Sequence, residues 1–412
     1  MRLVLVVPPF LRLAGSHNDR LPLELCYLDA YLTRAGHEAV TLNADATGAA
    51  RYVPWRRLFD NFRHVMQAAD GDSPLYDETV ERVMSLDPQV VVVAAADNVT
   101  PWVDSGNAYV SAELARRLRA LGVYAVGVGP FYTQVPVRFS DSFDAILRGG
   151  PSPRIVDLVE QRPVGVAVAG PVDVTVPPRI AVGPYCRDDV AMTALGCPFT
   201  CAFCFARDQR YEPIPLDVVE ADIASRDAEL IDLGDAILPL QRPRLRGLIP
   251  VLAGLGKRYT CEVSVTSITE ANLDALQQIG VEQVKLGVES GDDTELAATG
   301  KNQTRHRILT AANRIKARGI RLSAYVLLGG PDSTAATVQA TYEVCREVDA
   351  DDYIINVYGH HDLATRDFRY DGHFSSHLVN HWGLAEQMPR FFDLQDQARK
   401  YGLGQLVGKV VA

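Results

Sequence analysis

Apolar residues in this chain fall into short continuous runs, and the stretches between the runs carry apolar positions at helical spacing. The early runs are Leu3–Pro8, Glu38–Leu42, Gln89–Ala96, Val123–Val128 and Asp144–Leu147. Between them, Leu21–Arg34 (closed by Gly36), Asn107–Leu121 and Pro153–Glu160 read as helices. Two further helical pieces span Val53–Ser85 around the turn-like Asp70-Gly-Asp-Ser-Pro74. Strands that are apolar on both faces need cover on both faces. Their alternation with helices therefore predicts an α/β domain over residues 1–160, a doubly wound, Rossmann-like parallel sheet. Ligands of such sheets bind at the carboxyl ends of the strands, so Pro8–Arg20, Ala96–Asn107 and Gly127–Gln134 are the candidate binding loops.

Residues 161–188 change character. Gln161–Pro184 is rich in Val, Pro and Gly without a helical period and reads as a linker holding short strand pieces. From Asp189 the alternation restarts with strands at Val190–Leu195, Ile231–Leu233, Tyr259–Val265, Gln283–Val288, Arg321–Leu328 and Asp352–Val357. Helices are predicted over Leu216–Leu230, Arg242–Leu255, Glu270–Ile279, Arg305–Arg318 and Ala335–Val348. About six βα units over residues 189–358 make a partial (β/α)6 barrel, whose active-site groups gather at the carboxyl ends of its strands. Residues 359–412 form a short C-terminal tail, an extension expected near the substrate.

Composition narrows the class. With 412 residues and 47% hydrophobic content, the chain can bury sizeable cores and reads as globular. It has no apolar run near the ~18 residues a membrane span needs. The start of the chain reads as a buried strand rather than a secretory signal, so a cytoplasmic protein is expected. The net charge of −10 argues against nucleic-acid binding. Of the seven cysteines, Cys26, Cys186, Cys261 and Cys345 are scattered, as suits core thiols in a reducing compartment, with Cys186 nearest the remaining three.

Those three stand at C-x3-C-x2-C spacing in Thr193-Ala-Leu-Gly-Cys197-Pro-Phe-Thr-Cys201-Ala-Phe-Cys204-Phe205. A loop this short favours converging the sulfurs on one inorganic centre over pairing them as disulfides. Zinc, or a four-cysteine iron–sulfur centre, would need a fourth ligand that no nearby CxxC or HxxxH supplies. A [4Fe-4S] cluster with three protein ligands fits better, and it leaves one iron open to a small molecule.

The motif, with an aromatic residue before its last cysteine and a predicted strand before it, resembles the signature of radical SAM enzymes. The resemblance implies that Cys197, Cys201 and Cys204 hold the cluster. It further implies that the open iron chelates S-adenosylmethionine (SAM), and that an electron from an external flavodoxin- or ferredoxin-like donor cleaves SAM to a 5′-deoxyadenosyl radical. Glu289-Ser290-Gly291 resembles the family's "ESG" stretch, with Glu289 and Ser290 as ribose or amine contacts. Gly234-Asp235 would meet the SAM amine, and Tyr325-Val-Leu-Leu328-Gly329-Gly the adenine. Phe203 and Phe205 would cover the cluster, and Lys301 and Arg305 are candidates for the SAM carboxylate. Six of the nine histidines lie between His306 and His381. Their spacing fits no single ligand set, and His360 and His361, just past the sixth strand, are expected beside Tyr325 as substrate-contacting residues.

The first domain resembles the cobalamin-binding domain that precedes many radical SAM domains. The stretches that carry the likeness are "VVPPF", "LPLELCYLDAYLTRAGHEAVTLNAD", "DPQVVVVAAA" and "GVGPFYTQVP". It departs from the pattern at Arg148-Gly-Gly-Pro-Ser, where an acidic residue is usual, and it has no D-x-H-x-x-G. His37 is therefore not a cobalt ligand, and the lower face of the cobalt would lack a protein imidazole. Gly127 and Gly129 are expected to let the corrinoid's nucleotide tail reach the sheet. Together the resemblances imply cobalamin-dependent C-methylation of an unactivated carbon in a secondary metabolite, as in antibiotic biosynthesis. The alternatives are a cobalamin-free dehydratase, epimerase or decarboxylase acting on a sugar- or nucleoside-like compound, and a non-enzymatic iron–sulfur or corrinoid redox sensor.

Overall fold

The computed structural model describes residues 1–13, 15, 17–47, 73–94, 101–129, 132–133, 139–181, 186–204, 210–238, 242–330, 333–357 and 384–399. They divide into a unit built on Met1–Asp188 and a unit built on Asp189–His361, the latter joined by a C-terminal helix.

The first unit holds β1 (Arg2–Val7), the short α1 (Phe10–Leu13), α2 (Leu23–Arg34), β2 (Glu38–Asn43), α3 (Pro74–Met84), β3 (Val90–Ala94) and α4 (Pro101–Ala120). β4 (Tyr124–Val128), β5 (Ala145–Arg148), α5 (Arg154–Gln161) and β6 (Gly165–Val168) complete it. Its strands are all parallel, in the order β2-β1-β3-β4-β5-β6. The continuous valine run becomes β3, in which every residue is buried, as a central strand covered on both faces requires. Most of the predicted Val53–Ser85 helical pieces lie outside the described residues. The last turns are α3, which starts on Pro74 and is capped by the Ser73 hydroxyl accepting from Leu75 N–H.

The stretch expected as a linker is instead part of this unit. β6 adds a sixth strand beside β5, and Arg179 anchors the following segment to α2. The Arg179 guanidinium donates to both oxygens of Asp29, which is fully buried and also accepts from Thr33 and Thr41. The Arg179 backbone N–H goes to Cys26 O, and the Tyr31 hydroxyl to Asp173 O. Sequence period could not reveal this, because an ion pair between residues 150 apart leaves no local pattern. Cys186 packs with Ile180 against Leu21 and Cys26, and burial pushes its thiol up to about 11, so it is a core thiol.

The second unit contains β7 (Val190–Ala191), β8 (Ala194–Leu195), β9 (Glu212–Pro213), α6 (Leu216–Ala224), β10 (Leu230–Leu233), α7 (Arg242–Gly254) and β11 (Arg258–Val263). It continues through α8 (Glu270–Ile279), β12 (Val281–Glu289), α9 (Asp293–Ala298), α10 (Arg305–Ala317), β13 (Arg321–Leu328), α11 (Ala335–Val348) and β14 (Asp352–Val357) to α12 (Leu384–Arg399). The parallel order β14-β13-β12-β11-β10-β7 is the expected partial barrel. Helix starts follow side-chain chemistry: Thr269, Asp292, Thr304 and Thr334 each cap the helix that follows.

The predicted Val190–Leu195 strand is broken in two. The Thr193 N–H leaves the ladder for the Asp235 carboxylate, and the chain resumes as β8, antiparallel to β9. The tail expected near the substrate contributes α12 to the described residues. This helix covers β14 and α11 from outside, through Gln395 to Tyr353 O and Arg390 stacked on Tyr342.

Alternation along these strands separates two faces. Tyr259 and Tyr353 send their hydroxyls to carbonyls of Leu252 and Cys345 in the helix layer. The residues between them in register, Thr260 on β11 and Asp352 and Ile354 on β14, therefore face the barrel interior.

Candidate active site

The cysteine loop begins at Thr193, and Asp235, just past β10, holds it there. The Asp235 carboxylate is 3% exposed and accepts from Thr193 N–H at 2.6 Å and from the Thr193 hydroxyl at 2.5 Å. Arg244 of α7 donates to Thr193 O and Ile214 O, fixing the same corner. Gly234 packs closely, and a Cβ there would come within 2.9 Å of Met192 Sδ, so the methionine would have to shift. The Asp235 carboxylate expected on the SAM amine is thus turned into the protein, where it positions the loop.

Burial raises the Asp235 pKa to about 6 against the hydrogen bonds from Thr193. Between its ordinary value of 3.8 and about 6, the folded chain holds a proton that the unfolded chain has lost. Stability therefore falls as pH rises through that window, by up to about 3 kcal/mol. Asp235→Asn keeps an acceptor for Thr193 and removes the titration. In melts of the apo protein at about pH 4 and about pH 7.5 the variant is expected to lose less stability on the rise than the parent; parallel losses would show an ordinary carboxyl.

Cys197 and Cys201 are 9% and 8% exposed, Cys204 is half-buried, and none forms a disulfide. Burial pushes the Cys197 and Cys201 thiols up, and the Lys301 ammonium pulls them back. The loop is tied to the segment after β12 by Ala202 N–H donating to Thr299 O, and Lys301 Nζ lies 5.2 Å from the centre of the Phe203 ring. Three free cysteines on one loop, with the Lys301 charge acting on two of them, suit the thiolate donor set of a cluster.

Glu289, the last residue of β12, forms an ion pair with Lys301. Burial works against the Lys301 charge, but Glu289, together with Cys201 and Cys204, outweighs it and holds the ammonium above its ordinary pKa. Glu289 sits in left-handed backbone (φ 63°) at a register shift between β12 and β13. Gly287 makes room for the pair, since a Cβ there would collide with both Lys301 Nζ and Glu289 Oε1. A glycine inside a strand marks such an approach, and that signal was available in the sequence.

Several expected contacts fall elsewhere. The Ser290 hydroxyl is buried against Glu295 and Thr341 and accepts from Asp292 N–H, while Asp292 caps α9. Gly291 lets β12 approach α11, where a Cβ would strike Ala340 O. Arg305 reaches Glu347 on α11 instead of the site. Leu328 is 1% exposed on the helix-facing side of β13, and the next residue, Gly329, has φ 81°. Tyr325 points inward, its hydroxyl donating to Glu262 Oε1 at 3.0 Å. His360, His361 and Phe205 lie outside the described residues.

The sequence reading missed Asp232, Glu262 and Lys285. They are the charged alternate positions of otherwise apolar strands, Leu-Ile-Asp-Leu, Tyr-Thr-Cys-Glu-Val and Gln-Val-Lys-Leu. A period of two in strands with both faces covered was the available sign of a polar barrel interior.

In the first unit, Gly127 is filled from the other side. Its missing side chain is replaced by the Phe143 ring, 3.1 Å from an added Cβ, and Phe143 packs edge-to-face with Tyr132. Gly127 therefore serves packing and does not open the sheet to a nucleotide tail. Gly129, at φ 123°, starts the turn in which Thr133 donates back to its carbonyl.

A parallel partial barrel with a three-cysteine loop at its first strand defines a class, and residues 193–345 match the family model described as Radical SAM superfamily. Those residues are a radical SAM domain. It is 22% identical over 396 residues to an uncharacterized methyltransferase of Pyrococcus horikoshii, across 85% of this chain and 79% of that one. Among solved structures, the radical SAM methyltransferase TsrM from Kitasatospora setae, with cobalamin and a [4Fe-4S] cluster bound, is similar at TM-score 0.60 and 17% identity. That likeness covers 86% of this chain and 72% of TsrM. The cobalamin-dependent S-adenosylmethionine radical enzyme OxsB is similar at TM-score 0.61 and 14% identity, over 94% of this chain and 56% of OxsB. At these identities the structural likeness speaks to the fold.

Proposed function

We propose that this enzyme methylates an unactivated carbon of a small secondary metabolite, using a [4Fe-4S] cluster, SAM and cobalamin. The observation that carries the reading is the presence, in one chain, of the cysteine loop held by Asp235 and of a separate doubly wound sheet in the order β2-β1-β3-β4-β5-β6. TsrM and OxsB, which share that fold, are described with cobalamin bound. When bound, the cluster and SAM supply a 5′-deoxyadenosyl radical and the corrinoid supplies the methyl group.

The residues of the chain then have distinct tasks. Cys197, Cys201 and Cys204 hold the cluster, and Asp235 and Arg244 position their loop through Thr193. Lys301 places a positive charge beside the thiolates, oriented by Glu289, and Phe203 covers the loop and excludes water. Gly329 lets the backbone approach a flat ring, and the carbonyls of Gly234 and Asp235 would receive the SAM amine. Pro8–Arg20 and the Gly129 turn stand at the carboxyl ends of β1 and β4, where a corrinoid would lie. No described helix is long and apolar enough to cross a membrane. A flavodoxin- or ferredoxin-like donor in the cytoplasm would supply electrons.

Phe143 over Gly127 favours the second reading, a cobalamin-free radical SAM enzyme. Anaerobic purification from cells supplied with cobalamin, followed by iron, sulfide and corrinoid analysis, separates the two. The expected result is cluster and corrinoid in equal amounts. A chain that takes up the cluster and cleaves SAM, yet holds no corrinoid when it is in excess, would establish the second reading.

A further inference from the structure

The segment that follows α9 lies against the cysteine loop. Ala202 N–H donates to Thr299 O, and a Cβ on Gly300 would stand 3.9 Å from Thr200 O. Lys301 comes next, and its ammonium sits 5.2 Å from the centre of the ring of Phe203, the residue before Cys204. Backbone contacts thus hold the lysine beside the loop, and the ion pair with Glu289 fixes where its charge lies.

The two charges of this pair do not act equally on the loop. Lys301 acts on Cys197, Cys201 and Cys204. Glu289 acts on Cys201, and there less strongly than Lys301 does. Glu262 opposes Lys301 at Cys197, again as the weaker of the two. The lysine is therefore the end of the pair that faces the thiols. With side-chain exposures of 19% for Lys301 and 7% for Glu289, water screens these charges little.

Resting on the cluster in the function proposed above, we propose that the Glu289–Lys301 pair sets the reduction potential of that cluster, Lys301 raising it and Glu289 limiting the rise. One electron from a flavodoxin- or ferredoxin-like donor takes a [4Fe-4S] centre from the 2+ to the 1+ state, with no bond made or broken and no proton taken up. The added negative charge spreads over the centre and its thiolates. A fixed cation beside those thiolates stabilises the reduced state more than the oxidised one, and a carboxylate behind that cation works against it. Removing either partner therefore shifts the potential, and the two shifts have opposite signs.

The test is made without SAM, so a role of Lys301 confined to the SAM carboxylate does not register in it. Parent, Glu289→Gln, Lys301→Met and the double variant are reconstituted anaerobically. The reduced cluster is then read by its electron paramagnetic resonance signal at a series of poised potentials, with circular dichroism as the control for folding. Lys301→Met is expected to lower the reduced-to-oxidised ratio at a fixed potential about tenfold or more, which for a one-electron couple is a negative shift of about 59 mV or more. Glu289→Gln is expected to raise the ratio by less than that, and the double variant to fall between the parent and Lys301→Met. If the two single variants leave the ratio unchanged, or move it in the same direction, the proposal is overturned. Should Lys301→Met hold no cluster, Glu289→Gln decides alone: a raised ratio supports the proposal, and an unchanged or lowered one overturns it. A parent that takes up no cluster overturns the function proposed above and this inference with it, whereas a full cluster whose variants do not shift overturns the inference alone.

Discussion

Replacing Cys197, Cys201 or Cys204 by alanine is expected to abolish the cluster and all SAM cleavage while both parallel sheets stay folded. Each thiol sits on a loop outside the strand ladders, and the cores lie elsewhere, in β1, β3 and β4 of the first unit and β11 to β13 of the second. The loop is fastened at its start by Thr193 to Asp235 and in its middle by Ala202 to Thr299, and neither contact uses a sulfur. Loss of one small side chain from the loop therefore leaves these anchors in place. With two thiolates remaining, the cluster loses one of its iron ligands and turnover falls to background. Iron and sulfide assays after anaerobic reconstitution, with circular dichroism as the control for folding, read both halves. A complete cluster in any of the three variants would falsify the ligand assignment.

Much of this architecture was legible because the strands are long, apolar and evenly spaced. The predicted helices at Glu270–Ile279 and Ala335–Val348 and the strands at Arg321–Leu328 and Asp352–Val357 match the observed elements residue for residue. The cysteine loop was legible too, since its chemistry is local in sequence. Contacts that depend on distant partners were not. Nothing near Glu289 says that its carboxylate is taken by Lys301, nor near Gly127 that Phe143 fills its empty side, nor near Ser290 that Thr341 of α11 closes over it. The "ESG" stretch reads as a row of ligand contacts, yet its serine and glycine serve the packing of β12 against α9 and α11. Gly165–Val168 was obscured because it is an edge strand, with Val166 and Val168 exposed and no buried alternation to mark it.

Lys301→Met is expected to destabilise the second unit, and more severely than Glu289→Gln. The pair is largely shielded from water, with Glu289 at 7% and Lys301 at 19% side-chain exposure. Removing the lysine leaves a buried carboxylate with no cation, held in place by the left-handed backbone at residue 289. Breaking a buried pair from one side costs about 3–5 kcal/mol, and the partial exposure of Lys301 places the expected loss near the lower end, about 3 kcal/mol. Glu289→Gln leaves the ammonium instead, and that charge lies beside Cys201 and Cys204, which replace part of the lost attraction once they are thiolates. The double variant Glu289→Gln with Lys301→Met carries neither charge and is expected to recover most of the stability lost by Lys301→Met alone. Urea unfolding of the four proteins, apo and reconstituted, measures the coupling. In the apo state the two single variants should be closer in stability, because neutral thiols offer Lys301 less; on reconstitution Glu289→Gln should gain on Lys301→Met. Equal losses in both states, with no recovery in the double variant, would show that the pair is a surface contact without influence on the cluster loop.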